Sequence, residues 1–406
     1  MRILTFGWDY PPIRNGGLGV ACHGLTEELI DAGMEVIFVL PRKQPVIGKP
    51  LFRFGESSTL KIRELDFPLL VPYQASTSSI QYFLQDGTRA TSSRSIIEEV
   101  KRYAREARKI AEEETFDIIH AHDWTSYLAG LAAQDVSGKP LVLHVHATAH
   151  DQAGGGIADP SIQHIEHHAF READSVVAIS QYTKNTLVNQ YQVDPRKIEV
   201  VHNGMHQYEP SGLAPVLSEY KAQGKKIIFY HGRITIQKGV DYFVRAARLV
   251  IDHNPNVVFV ISGWGDMEHE IMRLVGALGL SEQVIFAGAL WDEERDRMYQ
   301  SADLLVMPSV SEPFGLVPLE SIQHGTPVLI SKQSGVAEVL AHALKVDFWD
   351  VEEMANKIIA AISYPVMHEQ LSREGKEEVK RITWKQAAHK VVELYHTLVA
   401  WLKGKR

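Results

Sequence analysis

Residues 226–250 read KIIFYHGRITIQKGVDYFVRAARLV. Lys226–Tyr230 is a short apolar run of strand length. The loop HGRITIQKG follows, and a helical stretch begins near residue 239. The chain opens the same way. Arg2–Phe6 is apolar, WDYPPIRNGG is a loop, and Leu18, Ala21, Leu25 and Leu29 then fall at helical spacing. Two similar strand–loop–helix beginnings, far apart and without a short-period repeat, predict two related α/β domains rather than a solenoid.

Outward from these beginnings the rhythm continues. In the first half the strand candidates are Arg2–Phe6, Val36–Leu40, Ile80–Leu84, Ile118–His120, Leu141–Val145, Ser175–Ile179 and Glu199–Val201. In the second half they are Lys226–Tyr230, Val257–Ser262, Val284–Phe286, Leu304–Pro308 and Pro327–Ile330. Helices are expected near 239–252, 267–278, 293–301, 316–324, 335–341 and 351–362. Apolar strands alternating with helices imply doubly wound parallel sheets. Residues 42–60 and 62–92 break the rhythm and read as loops with an irregular or antiparallel insert. The polar, Gly- and Pro-containing 204–225 reads as an interdomain connection. The expected domains are 1–203 and 204–383, facing across a cleft at the carboxyl ends of their strands. Tyr364–Pro365 reads as a break. A last helix, about 384–406, is expected to pack back on the first domain.

Composition narrows the function. The chain has 406 residues, 45% hydrophobic and 23% charged, with net charge −8 and a single cysteine. This ordinary globular mix argues against disorder, and the acidic balance against general nucleic-acid binding. Cys22 alone forms no intramolecular disulfide. No apolar run is long enough to span a bilayer, and MRILTFGWDYPP is a poor signal peptide. A cytoplasmic protein, with no membrane partner, is the expectation.

Three loops carry candidate chemistry. Arg14-Asn15-Gly16-Gly17-Leu18-Gly19 lies between a strand and a helix, where glycines admit a ligand and the helix start attracts an anion. The plain alternative is a tight turn. A dinucleotide fingerprint would need a third glycine where Cys22 stands, which disfavours a nicotinamide enzyme. In the second loop, Arg233 and Lys238 are fixed cations suited to a diphosphate, or else two solvated charges. In the third, Glu312-Pro313-Phe314-Gly315-Leu316-Val317-Pro318-Leu319-Glu320 predicts a helix beginning near Gly315 or Leu316. Backbone N–H groups there suit phosphate, and Glu312 and Glu320 suit sugar hydroxyls. The alternative is a capping acid and a solvated one.

The 19 histidines include His144, His146 and His150, then His164, His167 and His168. His164 and His168 have metal-pair spacing, but H-E-x-x-H and a Cys cluster are both missing, so no metal is expected. His146, at a strand's carboxyl end, is the better functional candidate, with the glycine-rich Gly154–Gly156 just beyond. Ser180 lacks a nucleophile-elbow setting and reads as a helix N-cap.

Taken together the chain resembles the retaining nucleotide-sugar glycosyltransferases of the GT-B fold, which include glycogen and starch synthases and sucrose synthase. The resemblance runs through Gly16–Gly19, Asp117–Trp124, Val145-His146, Ala178–Ser180, His202–Gly204, Gly232-Arg233 with Lys238-Gly239, Ser262–Gly265, and Glu312 with Glu320. It implies two Rossmann-like domains, with the donor in the C-terminal one. It implies that Arg233 and Lys238 bind the diphosphate, helped by N–H groups of Gly315, Leu316 and Val317. Glu320 would bond the ribose, Glu312 would hold sugar hydroxyls, and His146 would meet the sugar near its 6-hydroxyl. Arg14, Gly16, Gly17, Gly265 and Phe314 fall on the donor side. No metal or other cofactor is implied.

The favoured donor is UDP- or ADP-glucose and the favoured acceptor an α-glucan. Bacterial glycogen synthases carry Lys where Arg14 stands, and Arg preserves charge but not shape. A small-molecule or lipid acceptor is the alternative, and a disaccharide phosphorylase of the same fold is another. A nucleotide-sugar epimerase is disfavoured by the Glu312–Glu320 pair. A non-catalytic nucleotide-sugar-binding protein is the least favoured reading.

Overall fold

Val257–Ser262, the run VVFVIS, is buried at every position. Leu141–Val145, LVLHV, is buried throughout as well. Strands covered on both faces need helices on both sides of a parallel sheet, and the chain builds two such sheets. The computed structural model describes residues 1–11, 17–41, 60–64, 80–83, 89–92, 95–208 and 212–405.

In chain order the elements are β1 (Arg2–Phe6), α1 (Gly17–Asp31), β2 (Glu35–Leu40), β3 (Leu60–Glu64), β4 (Ile80–Phe83), β5 (Arg89–Ser92), α2 (Ile96–Glu113), β6 (Ile118–His122), α3 (Trp124–Ser137), β7 (Leu141–Val145), α4 (Ala149–Gln152), α5 (Pro160–Glu172), β8 (Ser175–Ala178), α6 (Gln181–Tyr191) and β9 (Ile198–Val200). They continue with α7 (Ser218–Ala222), β10 (Lys226–His231), α8 (Val240–His253), β11 (Val257–Ser262), α9 (Glu268–Ala277), β12 (Val284–Gly288), α10 (Asp292–Ser301), β13 (Leu304–Met307), α11 (Leu316–Gln323), β14 (Val328–Ser331), β15 (Leu344–Val346), α12 (Val351–Ser363), α13 (Pro365–Val379) and α14 (Trp384–Lys405).

The chain divides into two compact units. One comprises Met1–Gln152, Ile157–Gly204 and Thr383–Arg406; the other comprises Ala153–Gly156 and Met205–Ile382. The first holds a seven-stranded sheet in the order β3-β2-β1-β6-β7-β8-β9. All its pairings are parallel. The insert β4–β5 is an antiparallel pair, as its irregular sequence suggested. Helix α14 packs on α1, and its Ala387, Ala388, Val391 and Tyr395 are buried. The Tyr395 hydroxyl lies 2.5 Å from His120 Nδ1 on β6.

The second unit holds a six-stranded parallel sheet in the order β12-β11-β10-β13-β14-β15. Its core gathers Val240, Phe243, Val244, Ala247 and Val250 from α8, Met354, Ala355 and Ile358 from α12, and Phe259 and Ile261 from β11 into one buried cluster. Each such large side chain contributes about 1.5–3 kcal/mol on burial. In both sheets the strand order reverses beside the first strand of the unit, at β1/β6 and at β10/β13. Loops leaving the carboxyl ends there diverge and open a crevice.

Several expectations need correction. Residues 335–341 form only a 3₁₀ turn, Gly335–Glu338, after Ser334. The Tyr364–Pro365 break is a junction, because Pro365 starts α13 with its missing N–H in the first turn. Leu60–Glu64 is a parallel edge strand beside β2. The connection 204–225 contains the short helix α7. Among the described residues no helix is long and apolar enough to cross a membrane.

Candidate active site

In the second unit β10 delivers Gly232 and Arg233, a 3₁₀ turn follows at Ile236–Lys238, and Gly239 is the N-cap of α8. Gly239 has φ +64, and a Cβ there would stand 2.2 Å from the carbonyl oxygen of Pro308. The loop after β10 and the loop after β13 therefore touch backbone to backbone. Gln237, which sequence reasoning passed over, ties them further. It is buried; its Nε2 donates to the Ser311 carbonyl at 3.1 Å, and its own carbonyl accepts from Val310 N at 2.9 Å. Its Oε1 accepts from Arg233 Nη2 at 3.0 Å. The Tyr230 hydroxyl donates to the Arg233 carbonyl at 2.6 Å. Arg233 is thus braced at both its backbone and its guanidinium.

The two loops bring opposite charges together. Lys238 Nζ lies 2.5 Å from Glu312 Oε2, and the Ser309 hydroxyl donates to the same oxygen at 3.2 Å. Glu312 is 8% exposed, too buried for a solvated surface acid. Its backbone is fixed as well, for Glu312 N donates to Gln333 O at 3.0 Å and Glu312 O accepts from Gly335 N at 2.9 Å.

Helix α11 starts at Leu316, as the sequence predicts, after Gly315 with φ +103. No side chain caps it. Its opening N–H groups at Leu316 and Val317 have no acceptor within a helix by construction, and Pro318 carries none. Phe314 is buried, and its carbonyl accepts from Val336 N at 2.8 Å. Glu320 lies one turn inside. Its Oε2 accepts from the Tyr299 hydroxyl at 2.9 Å, and Arg295 Nη1 stands 3.7 Å from its Oε1. Burial, then the Glu320 charge, raises the Tyr299 phenol well above its ordinary range. Gly265 passes so close to β10's loop that a Cβ would stand 2.0 Å from the Ile234 carbonyl oxygen. Trp264 beside it and Trp291 after β12 are both exposed.

In the first unit four histidines line one face of β6 and β7 and the turn beyond. His122 pairs in register with His144. His120 Nε2 lies 3.2 Å from His144 Nδ1, and His122 Nδ1 lies 3.0 Å from His146 Nε2. The rings of His144 and His146 stack at 4.4 Å. Burial pushes His120 and His146 down to about 3, with His146 adding to the shift at His120. Burial and the neighbouring histidines also hold His122 and His144 well below their ordinary value. All four are neutral imidazoles near pH 7.

His146 is placed by Asp123, whose Oδ1 accepts from His146 N at 2.7 Å and Ala147 N at 3.2 Å. Gly17 is the first residue of α1. Arg14 and Gly16 lie outside the described residues. Ala153–Gly156 groups with the second unit. Ser180 caps α6, accepting from Thr183 N.

Two sets of buried side chains have ligating atoms within 4.8 Å of one another: Cys22, His122 and His146, and His120, His122 and His144. Their ring nitrogens already face one another in hydrogen-bonded pairs. Neither set contains His164 or His168, which are exposed.

The parts comprise a paired lysine and glutamate, a braced arginine, an uncapped helix start and a buried second carboxylate. They suit an anionic, hydroxyl-rich ligand. Comparison with known proteins agrees. Residues 15–207 match Glycosyltransferase Family 4, and residues 218–378 match Glycosyl transferases group 1. An uncharacterized glycosyltransferase of Methanocaldococcus jannaschii is 27% identical over 97% of this chain and 98% of its own length. A glycogen synthase of Mycobacterium tuberculosis is 24% identical, covering 97% of this chain and 94% of its own. The structure of sucrose-phosphate synthase from Thermosynechococcus elongatus shares the fold with a TM-score of 0.74 at 20% identity, covering 98% of this chain and 99% of that one. The chain belongs to the GT-B glycosyltransferases, with a family 4 domain in its first half and a group 1 domain in its second.

Proposed function

We propose that the protein is a metal-independent, retaining hexosyltransferase. It moves glucose from UDP- or ADP-glucose to an acceptor hydroxyl, and the acceptor is an α-glucan. The observation that carries this reading is the Lys238–Glu312 pair beside the uncapped start of α11. In this reading Arg233, Lys238 and the first N–H groups of α11 take the diphosphate and stabilise charge as the nucleotide departs. They fill the place a metal ion holds in other phosphate-handling sites. Glu320 keeps lone pairs beyond those used by Tyr299 and takes a ribose hydroxyl. Glu312, released from Lys238 by the phosphate, takes hydroxyls of the sugar. His146 meets the 6-hydroxyl as a neutral imidazole. The glycogen synthase relative supports the glucan acceptor.

For retention, the acceptor oxygen bonds the anomeric carbon on the face from which the phosphate leaves. The acceptor proton passes to the departing phosphate oxygen, so no protein nucleophile is required. Nucleotide release from UDP-, ADP- and GDP-sugars, each with and without glycogen and with and without chelator, tests the proposal. Release from a glucosyl donor that rises with glycogen and survives chelator is expected. Release that ignores glycogen removes the glucan acceptor, and release abolished by chelator removes metal independence.

A further inference from the structure

We propose that His122 is the positioning residue of His146: its imidazole fixes the orientation and the tautomer of the ring that the donor sugar meets. The inference rests on the reading of His146 given above.

Two neighbouring residues at the end of β6 hold His146 from two sides. Asp123 holds its backbone, through the 2.7 Å bond from His146 N. His122 holds its ring, through the 3.0 Å contact between His122 Nδ1 and His146 Nε2. The holders are themselves fixed. The Ser126 hydroxyl donates to the His122 carbonyl at 2.6 Å. Asp123 N donates to the His144 carbonyl at 2.9 Å. Asp123 also has φ 60 and ψ 167, a conformation ordinarily left to glycine. A non-glycine residue stays there only when its surroundings over-determine it, and such outliers gather at functional sites.

The chemistry follows from neutrality. Between two neutral imidazoles, one nitrogen donates and the other accepts. Whichever role His122 Nδ1 takes, His146 Nε2 must take the opposite one. The remaining nitrogen of His146 then has one defined character, donor or acceptor, toward a sugar hydroxyl. His122 is 1% exposed, so water does not compete for the contact. Without the His122 nitrogen, His146 samples both tautomers and both ring flips, and only a fraction of molecules presents the right nitrogen.

The test joins nitrogen NMR of the histidine rings to steady-state kinetics. The His146 signal is assigned by its loss in His146→Gln. A single tautomer is expected in the unaltered protein, and a mixture there overturns the proposal without any variant at His122. His122→Phe keeps a ring and removes the nitrogen. His122→Asn keeps a group that can donate or accept. The phenylalanine variant is expected to show mixed tautomers and a kcat lower by about 10- to 100-fold, with little change in donor KM. The asparagine variant is expected to recover much of both. A phenylalanine variant with unchanged tautomer and turnover, or an asparagine variant as impaired as it, overturns the proposal. If the unaltered protein turns over no nucleotide sugar, the proposed function fails on its own, and the tautomer still decides the positioning role.

Discussion

Lys238 Nζ lies 2.5 Å from Glu312 Oε2, so the cation proposed here for phosphate and the carboxylate proposed for sugar neutralise each other before a ligand arrives. Losing either partner leaves the other buried and uncompensated. Lys238→Ala and Glu312→Gln are each expected to lower kcat for nucleotide release by about 10²- to 10³-fold. Near-normal turnover in either variant would remove that residue from the catalytic centre.

Glu320 is held by the Tyr299 hydroxyl at 2.9 Å and by the Arg295 charge beyond it. Tyr299→Phe removes one hydrogen bond to a charged, buried acceptor. A loss of about 1.5–3 kcal/mol is expected, visible as a lower urea midpoint, together with a raised donor KM. An unchanged midpoint and KM would show that Glu320 does not depend on this contact.

Gly239 combines φ +64 with a Cβ position 2.2 Å from the Pro308 carbonyl oxygen. Gly239→Ala forces the loop after β10 away from the loop after β13, and with it Lys238 from Glu312. A stability loss of more than about 1 kcal/mol is expected, with nucleotide release falling further than stability does. Equal turnover per folded molecule, judged by active-site titration, would contradict this coupling.

The histidine column sets the acid limit of the first unit. His120 and His146 fall from an ordinary 6.5 to about 3 in the fold, chiefly through burial. The unfolded chain takes up protons below about pH 6.5 that the folded chain refuses, so the stability these residues supply is complete above that pH and drains away toward pH 3. Each contributes about 1.4 kcal/mol per pH unit across that window. Urea unfolding of the first unit at pH 7 and pH 5.5 should show the drop, and His120→Gln should reduce it. A flat profile would mean that water reaches the rings.

Glu166 acts in the other direction. Burial raises it from 4.5 to about 8, against bonds from the Tyr191 hydroxyl and Ala149 N that favour its charge. The folded chain keeps a proton that the unfolded chain has lost, so stability falls as pH rises from about 4.5 to about 8. Glu166→Gln should flatten that fall and raise the melting temperature at pH 8. A lower melting temperature there would mean that the charged form is the one the fold holds.

How much of this could be read beforehand depended on local signal. Leu141–Val145 and Val257–Ser262 are apolar but for His144 and Ser262, and they are strands over those same residues. Leu344–Val346 has three residues with a lysine in the middle and gave no pattern to read. Pro365 looked like a stop because its effect on the preceding residue is the same whether a loop or a new helix follows. The α11 start was legible from Gly315 and Pro318. The partners of Glu320 were not, since Tyr299 and Arg295 lie on α10 and reach it only through the sheet order. Gln237 carried no signal either, because a glutamine earns its role from the carbonyls that surround it.

Thr383–Arg406 belongs with Met1–Gln152 and Ile157–Gly204, while Met205–Ile382 stands between them in the chain. A ribosome therefore finishes the second unit before the first has its last helix. The seven-stranded sheet, though made earliest, waits through almost half the chain for α14 to cover α1 and for Tyr395 to reach His120. Of the two units, the one begun first is completed last, and the nascent chain spends that interval with an apolar face of the first unit uncovered.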